Sequence, residues 1–109
     1  MKETQSTISR WASETFGNPN SNARVAARAN EEMSELLREL TIDDNGEGAA
    51  AEVADVLIVL YRLADRMGFD IHAEVDKKMA INRQRKWALD ASGNGYRHRK
   101  MNAVRELAK

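Results

Sequence analysis

Two stretches of this chain repeat the same awkward arrangement, and the repetition narrows what it can fold into. Glu31-Glu32-Met33-Ser34-Glu35 is answered, after a spacer of sixteen residues, by Glu52-Val53-Ala54-Asp55. Each half lies in a run whose apolar residues recur at helical spacing, so Glu32 with Glu35, and Glu52 with Asp55, are i, i+3 pairs on one helix face. Four carboxylates from two neighbouring helices make an oxygen-only cage.

At about 100° per residue, Val25, Ala29, Met33, Leu36 and Leu40 form one apolar arc with Glu32 at its border. An offset of twenty superposes the second run on the first: Glu32 on Glu52, Met33 on Val53, Glu35 on Asp55, Leu36 on Val56 and Leu40 on Leu60. Val59 and Leu63 flank Glu52 on the wheel. A carboxylate beside a buried stripe must be paired, neutralised or bound to a cation, because an isolated buried charge costs more than a small domain can absorb. The same pair on two helices points to a shared cation.

At 109 residues the chain is expected to form a single domain with a modest core, of a size that oligomerisation helps to stabilise. It has no cysteine, which excludes disulfides, thiolate metal sites and cysteine nucleophiles and makes a cytosolic setting the default. Charges break the longest apolar stretches and the N-terminus lacks the apolar core of a secretory signal, so no membrane segment is expected. The formal net charge is zero but unevenly spread: residues 1–76 hold fifteen acidic against seven basic side chains, and residues 77–109 hold ten basic against two acidic. The basic region is either a solvated tail or an anion-binding flank.

In chain order, residues 4–16 read as a first helix capped by Thr4 or Ser6, with Ile8, Trp11 and Ala12 on one side. Gly17-Asn18-Pro19-Asn20-Ser21-Asn22 stops it. A second helix is expected over about 22–40, ended by Asp43-Asp44-Asn45-Gly46-Glu47-Gly48, and a third over about 49–67, ended by Gly68. Asp70 is placed to cap a fourth, whose stripe of Ile71, Val75, Met79 and Ile81 or Asn82 runs on towards Trp87. Ser92-Gly93-Asn94-Gly95 interrupts it before a short helix over 100–107. No run shows strand alternation. The expectation is an all-α antiparallel bundle of about four main helices over residues 1–92, with a basic C-terminal extension over 93–109.

With both acidic pairs in place, Glu31-Glu32-x-x-Glu35, the spacer and Glu52-x-x-Asp55 resemble the signature of the MazG-like all-α nucleoside triphosphate pyrophosphohydrolases, relatives of the dimeric dUTPases. Lys78-Met79-x-x-Asn82-x-x-Arg85 resembles the segment that follows the acidic motif in that family and helps to hold phosphates. The resemblance covers roughly residues 25–87. It implies hydrolysis of a (d)NTP between the α- and β-phosphates to (d)NMP and pyrophosphate, with two or more Mg²⁺ or Mn²⁺ ions per site. It implies Glu32, Glu35, Glu52 and Asp55 as metal ligands and Lys78, Asn82 and Arg85 as phosphate-binding residues. Glu31 matches the leading glutamate and, with Glu35, is a candidate for the catalytic role. The region after Trp87, including Gly93-Asn94-Gly95-Tyr96-Arg97-His98, is similar to small phage-encoded members, some of which trim purine deoxynucleotides, as the MazZ type does. That implies a purine preference (dGTP or GTP) and, for a phage-encoded protein, the host cytoplasm.

The chemistry agrees with that implication on its own terms. Hard oxygen ligands select Mg²⁺ or Mn²⁺, and a triphosphate brings further oxygen ligands itself. Glu35 is the candidate to orient or deprotonate the attacking water. Trp11, Phe16, Asn18 and Asn20 are candidate base contacts, because they join aromatic surface to amide hydrogen bonding near the first loop. Plainer roles stand beside these: Glu31, Glu35 and Glu39 as a solvated face paired with Arg24, Arg28 or Arg38, Trp11 and Trp87 as core or interface residues, and His72 and His98 as structural. Two other function classes compete, a nucleic-acid-binding module using residues 77–100 and a helical assembly domain without chemistry. The first lacks a recognised binding motif and has an acidic body that repels phosphates. A nucleotide partner and a homodimer or homotetramer are expected.

Overall fold

A computed structural model describes residues 2–85, together with the backbone pairing of Trp87–Leu89 and Tyr96–His98. Its elements are helices α1 (Gln5–Phe16), α2 (Asn22–Ile42), α3 (Ala49–Met67) and α4 (Ile71–Gln84), then strands β1 (Trp87–Leu89) and β2 (Tyr96–His98). The all-α reading holds for the body of the chain.

Each helix begins and ends for a local reason. Thr4 caps α1 through a reciprocal pair, its hydroxyl accepting from the Thr7 amide at 3.1 Å while the Thr7 hydroxyl accepts from the Thr4 amide at 2.8 Å. A cap of this kind contributes about 1 kcal/mol. Gly17 ends α1 at φ 79° and ψ −174°, a region essentially closed to side chains with a Cβ. Ser21 caps α2 by accepting from the Arg24 amide at 3.2 Å. Gly68 ends α3 in the left-handed conformation, and the Phe69 amide closes back on the Ala64 carbonyl at 3.1 Å. Asp70 caps α4 by accepting from the amides of His72 and Ala73 at 2.9 and 3.3 Å.

The chain divides into two compact units, Met1–Ala73 and one beginning at Glu74. In the first, α3 is the central element, packed against both α2 and α1. The residues 43–48 that join α2 to α3 are too few to let two helices of 21 and 19 residues lie side by side in any but the antiparallel sense. Small side chains allow the approach of α1, since Ser9, Ala12 and Ala64 are all buried. Gln5 ties the start of α1 to the α3–α4 joint, donating to the Phe69 carbonyl at 2.7 Å and accepting from the Ile71 amide at 3.0 Å. The core is thin. Val25 is its one buried branched side chain among the described residues, while Met33 and Leu37 on α2 and Val53 and Leu57 on α3 stay exposed.

In the second unit α4 stops at Gln84 and the chain turns into an antiparallel pair, Trp87 opposite His98, Ala88 opposite Arg97 and Leu89 opposite Tyr96. These two strands correct the reading of a helical stripe running on to Trp87. Three residues are too short to display alternation, so only pairing reveals them. The helix expected over 100–107 lies outside the described residues.

Candidate active site

The packing of α2 on α3 brings the acidic pairs together. Glu32, Glu52 and Asp55 each present a carboxylate oxygen, and these oxygens lie within 4.8 Å of one another. Glu32 and Glu52 are partly buried and Asp55 is exposed. Burial pushes the Glu32 carboxyl above its ordinary value of 4.5, Glu35 and Asp55 push it further, and Arg28 opposes them. Glu52 is raised in the same way, first by burial and then by Glu35, Asp55 and Glu32. Glu35, exposed and one turn on from Glu32, therefore acts electrostatically on both α2 and α3 members of the cluster.

The compensating charge in reach is small. Arg28 donates to Glu32 at 3.1 Å and to Glu31 at 2.6 Å, so Glu31 faces solvent in an ion pair along α2 while the Glu32 side chain is only 12% exposed. Glu52 Oε2 is buried with no hydrogen-bond partner. A buried carboxylate oxygen without a donor, amid other carboxylates, is unfavourable unless a cation completes the set. Oxygen-only donors of this charge fit Mg²⁺ or Mn²⁺.

Beside this cluster lies a cleft of about 750 Å³ whose lining includes Trp11, Phe16, Asn18, Arg28, Glu32 and Asp55. Trp11 and Phe16 meet edge to face, with ring centroids 5.4 Å apart and planes at 85°, yet they remain 51% and 62% exposed. Aromatic surface of that size left open to a cleft is ready to receive a planar ligand. Three of the four residues expected to meet a base thus share one hollow with two of the expected metal ligands. Asn20 is exposed and is not part of that lining. A second hollow of about 880 Å³, near Thr4, Tyr61 and His72, contains none of the expected site residues.

Lys78, Asn82 and Arg85 recur at intervals of four and three residues in the second unit, and Arg85 Nη1 donates to Asn82 Oδ1 at 3.4 Å. Lys78 and Asn82 lie one turn apart on α4, and Arg85 follows its last residue, so the stripe runs off the end of the helix.

Two basic side chains in the C-terminal half of α3, Arg62 and Arg66, tie that helix to the α1–α2 loop. Arg62 is 9% exposed, and its Nη2 donates to the Gly17 carbonyl. Arg66 donates to the Pro19 carbonyl at 2.6 Å and to Asn22 Oδ1 at 3.0 Å. Arg62 falls seven residues after Asp55 on the inward side of α3, and a cation on that line is the signal available in the sequence.

Comparison with known proteins gives the family. A dATP/dGTP diphosphohydrolase of Salmonella phage PMBT28 is 35% identical over 87 residues, covering 80% of this chain and 28% of the relative. A dATP/dGTP diphosphohydrolase of cyanophage S-2L is 39% identical over 67 residues, covering 62% of this chain and 59% of the relative. The chain thus spans 28% and 59% of these two relatives, less than two thirds of either. The solved structure of the cyanophage S-2L MazG-like pyrophosphohydrolase, bound to dGDP and three catalytic Mn²⁺ ions per active site, superposes with a TM-score of 0.70 at 32% identity, covering 90% of this chain and 91% of that one. The model of the MazG-like family matches residues 29–97, a span that holds both acidic pairs and the Lys78–Arg85 stripe. This chain belongs to the MazG-like family.

Proposed function

We propose that this protein is a metal-dependent pyrophosphohydrolase that converts purine deoxynucleoside triphosphates to monophosphates and pyrophosphate. The observation that carries the reading is the single cleft lined both by Glu32 and Asp55 of the acidic cluster and by the open faces of Trp11 and Phe16. Its volume suits a nucleotide. The relatives named for dATP and dGTP, and the neighbour that binds dGDP, support a purine as occupant.

Glu32, Glu35, Glu52 and Asp55 would hold Mg²⁺ or Mn²⁺, in a set of two or more ions. Such ions, when bound, neutralise phosphate charge and acidify water. The protein's own residues do the rest. Trp11 and Phe16 supply stacking surface and Asn18 an amide for the base edge, which fixes the nucleotide's orientation. Glu35, the exposed member beside Glu32 and Glu52, would also orient the attacking water. Glu31 holds Arg28, and through it the charge next to Glu32. Lys78, Asn82 and Arg85 offer donors for phosphate oxygens. The exposed apolar residues Met33, Leu37, Val53 and Leu57 support assembly into a homodimer or homotetramer, because a core this thin gains from covering them. The cytoplasm is the compartment in which these substrates occur.

A panel of the eight common NTPs and dNTPs, each with Mg²⁺ and with Mn²⁺, tests the specificity. The expected result is turnover of dATP and dGTP well above that of pyrimidine nucleotides. Equal turnover of dCTP and dGTP would remove the purine assignment.

A further inference from the structure

The α1–α2 loop carries Asn18 and adjoins Phe16, so its position decides where a base can lie. Gly17 holds a backbone conformation open to glycine and turns its carbonyl onto Arg62. Arg66, one turn further along α3, takes the Pro19 carbonyl and Asn22 Oδ1. Two like charges at i, i+4 repel one another, and Arg62 is nine-tenths buried with its Nε unpartnered. For packing alone an apolar side chain would serve better at that position. The bonds that these guanidinium groups do make lead to the loop.

We propose that Arg62 and Arg66 are positioning residues that set the base-binding wall against the acidic cluster and thereby fix purine selectivity. The inference rests on the purine hydrolase reading above. Asp55 and Arg62 lie on the same helix, seven residues and about 10 Å of axial rise apart. One rigid element therefore sets the spacing between the metal-holding carboxylates and the loop that meets the base. When Arg62 is shortened, the loop loses its hold at Gly17 and keeps only the Arg66 bonds at Pro19 and Asn22, while Glu32, Glu52 and Asp55 keep their places. A bicyclic base, which has more surface to lay against the cleft that Trp11, Phe16 and Asn18 line, should suffer more than a pyrimidine.

The test is steady-state kinetics with dGTP, dATP and dCTP in Mn²⁺ for the full chain and for R62A, R62K and R66A. In parallel, dGDP affinity is measured by calorimetry and the rise in melting temperature on adding Mn²⁺ alone is recorded. R62A should raise KM for dGTP and dATP roughly tenfold or more through misplacement of the base. Its kcat should move by no more than about threefold, the Mn²⁺-induced rise should persist, and the preference over dCTP should shrink. R66A should shift the same parameters in the same direction, and R62K, which keeps a cation without the fork, should recover part of the loss. If R62A does not fold, R66A and R62K carry the comparison. Unchanged dGTP KM and dGDP affinity in R62A or, should it not fold, in R66A would overturn the proposal. So would equal losses for purine and pyrimidine substrates accompanied by loss of the Mn²⁺ response. A wild-type protein that binds dGDP in an Arg62-dependent manner but releases no pyrophosphate would instead defeat the hydrolase reading and leave the positioning role standing.

Discussion

Gly17→Ala isolates the backbone of the proposed base-binding wall. At φ 79° and ψ −174° an alanine is strained, but a Cβ built there meets nothing within 4 Å, so the cost is conformational and not steric. Such a conformation costs about 1–3 kcal/mol for a residue with a side chain, while the stiffer unfolded chain returns about 0.4–1 kcal/mol. The net loss is about 1–2 kcal/mol, which for a domain of this size lowers Tm by on the order of 10 °C. Gly68 is the internal control, because at φ 78° and ψ 27° it sits in the ordinary left-handed region that asparagine tolerates. Gly68→Asn should therefore be milder than Gly17→Asn, which should be about as damaging as Gly17→Ala. Urea melts of the three variants decide the matter. Should Gly17→Ala stay within about 0.3 kcal/mol of wild type, below the usual scale of such strain, the loop is not held in the described conformation and the anchoring role of Arg62 loses its basis.

Burial and mutual repulsion raise the folded-state carboxyl values of Glu32 and Glu52 above 4.5, so the folded protein binds these protons more tightly than the unfolded chain. Their contribution to metal-free stability is best below the ordinary carboxylate value and declines as pH rises through it to the folded value. Melting temperatures measured in EDTA from pH 4 to 8 should show this decline weakened in Glu52→Gln, and that variant should also lose most of the Mn²⁺-induced stabilisation of wild type. Lys78→Ala should weaken phosphate hold, raising KM by about tenfold while turnover falls less than in any ligand variant. Light scattering at micromolar concentration should return the mass of a dimer or tetramer, and a Leu37→Glu, Leu57→Glu double variant should shift it towards monomer.

The acidic site was legible because its signal is local and doubled. A lone glutamate pair on a helix is ordinarily a solvated face, and Glu31 beside it does pair with Arg28 at the surface, but a second acidic pair at matching wheel positions beside Val59 and Leu63 needs a joint explanation. The first three helices were legible for similar reasons, since their ends are set by Thr4, Gly17, Ser21 and Gly68 through local backbone chemistry. What escaped depends on partners distant in sequence. Arg62 looks like a side chain suited to the end of a helix until α1 and its loop are packed against it, 45 residues away. Hairpin pairing of Trp87–Leu89 with Tyr96–His98 leaves no period to read in three residues. Asn20 shares its composition cues with Asn18, which lines the cleft, and nothing in the sequence separates the two.

The stoichiometry of the products tests the central claim most directly. Purified protein incubated with dGTP and Mn²⁺ should release monophosphate and pyrophosphate in equal amounts, with no diphosphate and no free phosphate, and Asp55→Asn should lower the rate by orders of magnitude. Release of inorganic phosphate in place of pyrophosphate, or full activity in Asp55→Asn, would contradict the account.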